Sequence, residues 1–306
     1  MDAVLLVEQS LNGLQFGLML FLLAAGLTLV FGIMDMVNLA HGSLYMVGAY
    51  LVATLTLASG SFWLGLGLGM LATAALAVLL ERGLLSRFYR RDHLSQVLGT
   101  FAVLLMANEG VRMVWGSQAI ALNPPDVLAG PVELWPGFSY SAYRLFIIAV
   151  GLLVAAVLYG LVTRTRLGMQ VRAGASNRDM ALAMGVPVQR LFTGVFALGA
   201  ALCALAGGLL GPLLAVQVGM GESILILAFV VIVIGGIGSM RGAFLGALLV
   251  GGVDTAGRTL LPAALQWLWP GDAAANAGAT VAPILIYLLM AAVLFFKPRG
   301  LFPAHG

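Results

Sequence analysis

Long apolar runs without a charged side chain are the feature that most restricts how this sequence can fold. Leu11 to Met34 contains no Asp, Glu, Lys or Arg, and the same is true of Met36 to Leu80. About 20 such residues in a helix cross the hydrocarbon core of a bilayer. Only 9% of the chain is charged and 61% is hydrophobic, whereas soluble domains carry roughly 25% charged residues. We therefore predict a protein that crosses a membrane many times.

The apolar runs predict an all-α fold, a polytopic transmembrane helix bundle with eight or nine spanning helices. Asp254 and Arg258 interrupt the run at 242–261, so the region 223–261 forms either two crossings or a shallower hairpin. The predicted spans lie at 11–34, at two places within 36–80, and at 94–115, 145–163, 191–221, 223–240, 242–261 and 273–296.

The basic residues predict the orientation of these spans, because Lys and Arg collect on the cytoplasmic side of membrane proteins. Nine spans with the N-terminus outside and the C-terminus cytoplasmic place twelve of the fifteen basic residues inside. Five of them lie in the predicted cytoplasmic loop, 164–190. The predicted outer loop, 116–142, is rich in Pro, which disfavours a helix. It is either a connector anchored in the membrane interface by Trp135, Tyr140 and Tyr143, or a docking surface for an external partner.

Glycine is expected to serve helix packing in this chain. The sequence has 40 glycines, many of them inside the apolar runs, including Gly13 with Gly17 and Gly242 with Gly246 in G-x-x-x-G spacing. Small residues let neighbouring helix backbones come close, and this contact stabilises helix pairs in lipid. We therefore expect a tightly packed bundle.

Polar side chains cluster where the first span meets the second. Asp35, Asn38 and His41 follow one another at intervals of three residues, which places them on one broad face of a continuous helix. Ionisable groups in a span are costly and mark either a structural pair or a functional site. These residues either cap and orient the junction between the two spans or, together with Ser43, line the path of a transported solute.

Other polar residues in the spans have simpler interpretations. Asp254 and Arg258 are spaced i,i+4, and Glu109 and Arg112 are spaced i,i+3, so each acid can neutralise its neighbouring base. Cys203, the single cysteine, lies among Ala and Leu and is expected to be a small packing residue.

Motifs for catalysis and nucleotide binding are absent from the sequence. His41, His93 and His305 are far apart, and no metal-ligand spacing, H-E-x-x-H or G-x-S-x-G occurs. A G-x-x-x-x-G-K-[ST] phosphate-binding loop is absent as well. We therefore expect no enzyme and no bound metal, and any ATP that drives this protein is bound by another chain.

A short helix is predicted inside the cytoplasmic loop, in the stretch "SNRDMALAMG" at 176–185. Ser176 or Asn177 can cap its start, Asp179 suits its first turn, and Gly185 can end it.

The two faces of this short helix differ in size. Met180 and Met184 are four residues apart and form an apolar face, whereas Ala181 and Gly185 keep another face small. The Met face needs a surface to cover it. Either the protein's own helix ends and lipid headgroups provide that surface, or a groove on a partner subunit does.

Three segments, in order along the chain, resemble one family of transport proteins. They are "GLTLVFGIMDMVNLAHGSLYMVGAY" at 26–50, "GMQVRAGASNRDMALAMGV" at 168–186 and "GGIGSMRGAFLGALL" at 235–249. Together they resemble the inner-membrane permeases of high-affinity branched-chain amino acid ABC importers, and the similarity spans nearly the whole chain.

This resemblance implies a set of partners. A homologous second permease chain, two ATP-binding cassette subunits and a periplasmic solute-binding protein are expected beside this chain, with membrane lipid around it and no nucleic acid. ATP would bind to the partner subunits, and this chain would bind no cofactor. Residues 1–306 would form a single transmembrane permease domain in the bacterial inner membrane, with the outer loop 116–142 facing the binding protein.

The resemblance also assigns roles to the two polar regions. The expected solute is a branched-chain or related small amino acid; permeases of the same family for urea or short amides, and a self-contained secondary transporter or channel, are the alternatives. The substrate-path candidates are Asn38, His41 and Ser43. The residues expected to couple to the ATPase are Asn177, Arg178, Asp179, Met180, Ala181, Met184 and Gly185.

Overall fold

Helices make up almost all of the regular structure. The computed structural model describes residues 3–34, 36, 38–89, 91–268 and 272–302, so the predictions made for Asp35 and His305 fall outside the described residues. The helices are α1 (Ala3–Met34), α2 (Ala40–Ser59), α3 (Phe62–Gly83), α4 (His93–Trp115), α5 (Ala142–Arg164), α6 (Arg166–Ser176), α7 (Arg178–Ala183), α8 (Val188–Leu214), α9 (Met220–Gly235), α10 (Met240–Leu268), α11 (Asp272–Val281) and α12 (Ile284–Phe296).

Seven helices within the described part of the chain are long and apolar enough to cross a membrane. They are α1, α2, α3, α4, α5, α8 and α10, while α9 and α12 are shorter apolar helices. The predicted helical, multi-pass membrane fold is therefore confirmed. The number of crossings and the orientation stay predictions.

Two predicted runs differ from the helices that form. The run at 242–261 belongs to a helix of 29 residues, α10, although Asp254 and Arg258 interrupt its apolar sequence. The run at 273–296 divides into α11 and α12, with Pro283 at the N-cap of α12. Proline lacks a backbone N–H and disfavours helical backbone in the residue before it, which explains the division.

The described chain separates into two compact units built from interleaved segments. The first unit comprises Met1–Phe21, Asp126–Leu152 and Phe229–Gly306, and the second comprises Leu22–Pro125 and Leu153–Ala228. A single domain over residues 1–306 stays a prediction.

Close backbone contact between α1 and α10 organises the first unit. A Cβ atom added to Gly17 would lie 2.8 Å from the Ala247 oxygen, and one added to Gly251 would lie 2.5 Å from the Gly17 Cα. Such distances leave no room for a side chain, so the predicted packing role of Gly17 is confirmed. The predicted ion pair is also present, since Arg258 Nε lies 2.9 Å from Asp254 Oδ2.

The predicted outer loop, 116–142, contains a hairpin that sequence analysis did not foresee. Strands β1 (Pro131–Trp135) and β2 (Phe138–Ser141) pair antiparallel in the first unit. Trp135 is 43% exposed, as an interfacial anchor requires, but Tyr140 and Tyr143 are buried. The anchoring role predicted for these two tyrosines is wrong. Tyr140 instead donates a hydrogen bond of 2.8 Å to Asn12 Oδ1, which satisfies its hydroxyl within the protein.

Helices α2, α3 and α8 pack together in the second unit. Their close approach depends on small residues: a Cβ atom on Gly48 of α2 would lie 2.7 Å from Ala204 Cα of α8. Beside them, Tyr50 contacts Trp115 at the end of α4, with ring centroids 5.2 Å apart. At the start of α2, His41 contacts both α1 and α8.

Candidate functional site

The short helix predicted in the loop 164–190 is present as α7, and local hydrogen bonds define both of its ends. Asn177 caps the start, because its Oδ1 accepts a hydrogen bond of 2.9 Å from the Met180 N–H. At the other end, the Gly185 N–H donates to Leu182 O and the Val186 N–H donates to Ala181 O, both at 3.0 Å. Gly185 has a φ of +82°, the left-handed conformation that this type of helix end requires. The predicted cap and end of the helix are confirmed.

The faces of α7 also follow the predicted pattern. Met180 and Met184 are 61% and 78% exposed, and Leu182 extends the exposed apolar surface. Ala181 is buried, on the side where α7 packs against α6 and α8. Asn177, Asp179 and the remaining residues of the predicted coupling set are exposed. Partner contact is therefore available to Met180 and Met184, whereas Ala181 holds α7 in place.

Helix α6 precedes α7 and was missed by sequence analysis. Thr165 caps it by accepting a hydrogen bond of 3.1 Å from the Gly168 N–H. Gly168 lies directly against the carbonyl oxygens of Leu161 and Val162, and the Arg172 guanidinium donates to the Val162 oxygen. The chain therefore turns back tightly at the end of α5, which fixes where α7 lies. The Thr165 cap was the available local signal for this helix.

Asn38 lies at the start of α2 and acts as a local cap. It is fully buried, and its Oδ1 accepts a hydrogen bond of 3.0 Å from the Ala40 N–H. Its backbone oxygen accepts from the His41 N–H at 3.3 Å. Beside it, the Leu39 N–H donates to Thr100 Oγ1 of α4 at 3.2 Å. These contacts fit the interpretation in which the polar residues orient the junction between the first two spans.

His41 connects three helices of the second unit. Its Nε2 lies 3.3 Å from the Leu23 oxygen of α1 and 3.1 Å from Cys203 Sγ of α8. A ring hydrogen on Nε2 can be donated to the Leu23 oxygen, and in that tautomer Nδ1 is an acceptor. Gly26 and Gly199 give the ring its space, since a Cβ atom on either would lie 3.0 to 3.3 Å from Cε1. Cys203 is buried, as predicted, but its contact with His41 was not foreseen.

Several buried polar atoms of the same unit have no hydrogen-bond partner among the described residues. They are Asn38 Nδ2, His41 Nδ1, Ser43 Oγ and Thr28 Oγ1, together with Tyr50 Oη, Thr56 Oγ1 and Gln96 Oε1. An unpaired polar group in an apolar interior is costly, so these atoms are ready to bind water or a polar solute. The substrate-path role of Asn38, His41 and Ser43 stays a prediction that these atoms are chemically able to fulfil.

No group of three or more His, Cys, Asp or Glu side chains that could hold a metal ion occurs among the described residues. The chemistry available near α2 is therefore hydrogen bonding by an amide, an imidazole and hydroxyls.

Comparison with known proteins connects these features to transport. The model of the family described as "Branched-chain amino acid transport system / permease component" matches residues 9–296. The chain is 29% identical to the high-affinity branched-chain amino acid transport system permease protein BraD of Pseudomonas aeruginosa, over 96% of this chain and 95% of that protein.

Two further relatives show the range of the similarity. The high-affinity branched-chain amino acid transport system permease protein LivH of Escherichia coli K12 is 29% identical, over 80% of this chain and 83% of that protein. The fructose import permease protein FrcC of Rhizobium meliloti is 27% identical, over 76% of this chain and 66% of that protein. No solved structure matches the chain significantly.

Proposed function

Because the chain belongs to the family of permease components of branched-chain amino acid transport systems, we propose that it is the permease subunit of an ABC importer that moves branched-chain or related small amino acids into the cytoplasm. The family match over residues 9–296 carries this proposal. The relatives BraD and LivH, named as branched-chain amino acid permeases, support the choice of solute over urea or a short amide.

The energy for transport comes from partner subunits in this proposal. A permease component is one part of a system, and the sequence has no phosphate-binding loop for ATP. The proposed assembly has two ATP-binding cassette subunits, a homologous second permease and a periplasmic solute-binding protein, in the bacterial inner membrane. ATP binds to the partner subunits, and this chain binds no cofactor.

Helix α7 is the proposed contact with an ATP-binding subunit. Its exposed Met180 and Met184 form a flexible apolar surface that suits a groove. Its two capped ends hold the six-residue helix in a defined shape, which a lever between two subunits requires. Five basic residues in the loop 164–190 support a cytoplasmic position.

The proposed solute path passes the start of α2. The unpaired Asn38 amide can donate a hydrogen bond, and the unpaired His41 Nδ1 can accept one in the tautomer that carries its hydrogen on Nε2. An amino acid offers both kinds of partner through its carboxylate and ammonium groups. The fructose permease among the relatives shows that sugars belong in the solute panel of any test.

Reconstitution in lipid vesicles tests the proposed function. The purified chain is combined with a sister permease, two ATP-binding subunits and a binding protein. Uptake of labelled leucine, urea and fructose is then measured with ATP either inside or outside the vesicles. We expect leucine uptake that requires ATP and disappears when the ATP-binding subunits are omitted. Uptake driven by an ion gradient with this chain alone would instead establish a secondary transporter or channel.

A further inference from the structure

A buried carboxylate joins α3 to α8 in the second unit. Glu81 lies in the last turn of α3 and is 1% exposed. Its Oε1 accepts a hydrogen bond of 2.6 Å from the Tyr89 hydroxyl, and its Oε2 accepts one of 2.8 Å from Thr193 Oγ1 of α8. Both oxygens of one acid are therefore used to hold two other parts of the chain.

These two hydrogen bonds are difficult to break. A buried acceptor that loses its donors keeps the full penalty of its lost solvation. Burial, followed by the hydrogen bond to Glu81 and its charge, raises the pKa of the Tyr89 hydroxyl well above its usual value. Tyr89 therefore remains protonated and donates to Glu81 at every physiological pH.

Arg178, the first residue of α7, reaches this same group of side chains. Its guanidinium lies over the ring of Phe192, 4.9 Å from the centroid. Phe192 precedes Thr193 in α8, is buried, and meets the Tyr89 ring edge to face with the centroids 5.5 Å apart. A continuous set of contacts thus runs from α7 to the ends of α3 and α8.

We propose that Arg178, Phe192, Tyr89, Glu81 and Thr193 form a transmission cluster that passes the displacement of α7 to α3 and α8. This inference rests on the proposed function, in which a partner ATPase moves α7. A six-residue helix has little stability of its own, so its position follows its contacts. The buried hydrogen bonds make Tyr89, α3 and α8 respond as one body, and the cation–π contact attaches α7 to that body.

The competing interpretation is that the cluster only stabilises the fold. The coupling ratio, defined as the ATP molecules hydrolysed per solute molecule imported, separates the two roles. A purely stabilising cluster lowers the amount of assembled transporter, which reduces hydrolysis and import together and leaves the ratio unchanged. A transmission cluster, when weakened, lets hydrolysis continue while import falls.

The experiment uses the complete reconstituted transporter with conservative variants. Tyr89→Phe and Thr193→Val each remove one hydrogen bond to Glu81 and preserve side-chain shape. The matched controls are Tyr287→Phe, at an exposed tyrosine of α12, and Thr163→Val, whose hydroxyl donates to Tyr159 O of its own helix. We expect the coupling ratio to rise about tenfold in Tyr89→Phe and Thr193→Val, as loss of a donor to a buried acceptor implies.

Arg178→Gln provides a second test if Tyr89→Phe and Thr193→Val do not assemble. Arg178 is exposed, so its replacement leaves the packed core intact. Loss of the cation–π contact should raise the coupling ratio about threefold. The transmission cluster would be overturned by a coupling ratio that stays unchanged in Arg178→Gln and in whichever of Tyr89→Phe and Thr193→Val assembles. An equal rise of the ratio in the two controls would also overturn it.

Crosslinking separates this outcome from failure of the proposed function. In an otherwise unaltered chain, Met184→Cys introduces an exposed thiol, while Cys203 is buried and poorly reactive. If position 184 crosslinks to an ATP-binding subunit and the coupling ratio is unchanged in the cluster variants, the transmission cluster is wrong but the proposed function is not. Absence of that crosslink in the assembled transporter would overturn the α7 contact and the cluster that depends on it, while ATP-dependent leucine uptake would still support the proposed function.

Discussion

Helix α7 and the start of α2 are the two regions proposed to act in transport, and they are held in opposite ways. The ends of α7 are defined by hydrogen bonds within the segment 177–186, and most of its side chains are exposed. His41 in α2 is fully buried and contacts Leu23 and Cys203, which are distant in sequence. A locally defined, exposed helix can move with a partner, whereas a buried junction is bound to the packing of three helices. Four substitutions test whether α7 and the start of α2 are held in these two ways, and they are given in order of decreasing free-energy cost.

Ala181→Glu attacks the one buried side of α7. It places an unpaired carboxylate against α6 and α8, which weakens the binding of α7 to these two helices by about 4 kcal/mol. We expect import to be abolished while membrane insertion and the stability of the second unit are retained, measured by uptake and by thermal unfolding. Ala183→Glu is the control, because Ala183 is exposed on the same helix. Loss of the folded protein in Ala181→Glu would show that α7 is not a separate local element.

Gly26→Val attacks the buried junction from α1. A Cβ atom at this position would lie 3.0 Å from both Gly199 Cα and His41 Cε1, so the larger side chain separates α1 from α8. Overpacking of this kind costs about 3 kcal/mol. We expect a lower temperature of thermal unfolding in detergent, in contrast to Ala181→Glu. Gly194→Val, at a glycine of α8 with open space around it, should leave that temperature nearly unchanged.

His41→Ala tests whether the imidazole matters mainly for packing. It removes the contacts to Leu23 and Cys203 and costs about 2 kcal/mol of stability. We expect thermal unfolding at lower temperature but import that is reduced less than in Ala181→Glu. His93→Ala, at an exposed histidine, is the control. Complete loss of import in assembled His41→Ala with unchanged stability would assign His41 a direct role in the solute path.

Gly185→Arg has the smallest expected free-energy cost of the four substitutions. Gly185 adopts a φ of +82° with no atom near its missing Cβ, so the cost is backbone strain of about 1 kcal/mol. We expect weaker crosslinking at position 184 and reduced import, with unfolding unchanged. Gly185→Asn should retain more import, because Asn tolerates this conformation better. Equal import in the two variants would show that neither the size and charge of the arginine nor the backbone strain at position 185 affects import.

The local features of the candidate site could be predicted because their signals are short in range. Asn177 and Gly185 are standard residues for starting and ending a helix, and both act as predicted. The pair of Asp254 and Arg258 formed as its spacing indicated. The capping hydrogen bonds of α7 and the Asp254–Arg258 pair join residues a few positions apart, so the local sequence is enough to predict them.

The longer-range features could not be predicted from the same signals. Nothing near Glu81 in the sequence indicates that Tyr89 and Thr193 donate to it. Tyr140 and Tyr143 had the composition of interfacial anchors, yet both are buried. Which side of an apolar helix faces lipid is poorly encoded, because lipid and the protein interior are equally apolar.

The amino-acid sequence was enough to predict a multi-pass membrane protein, the positions of most of its helices, and the residues at which α7 begins and ends. These properties follow from hydropathy over about 20 residues and from capping within a few residues. The contact of His41 with Cys203 and the hydrogen bond by which Glu81 joins α3 to α8 emerged from the folded chain alone. Such contacts depend on the rotation and depth of each helix in its packed unit, which no single stretch of sequence specifies.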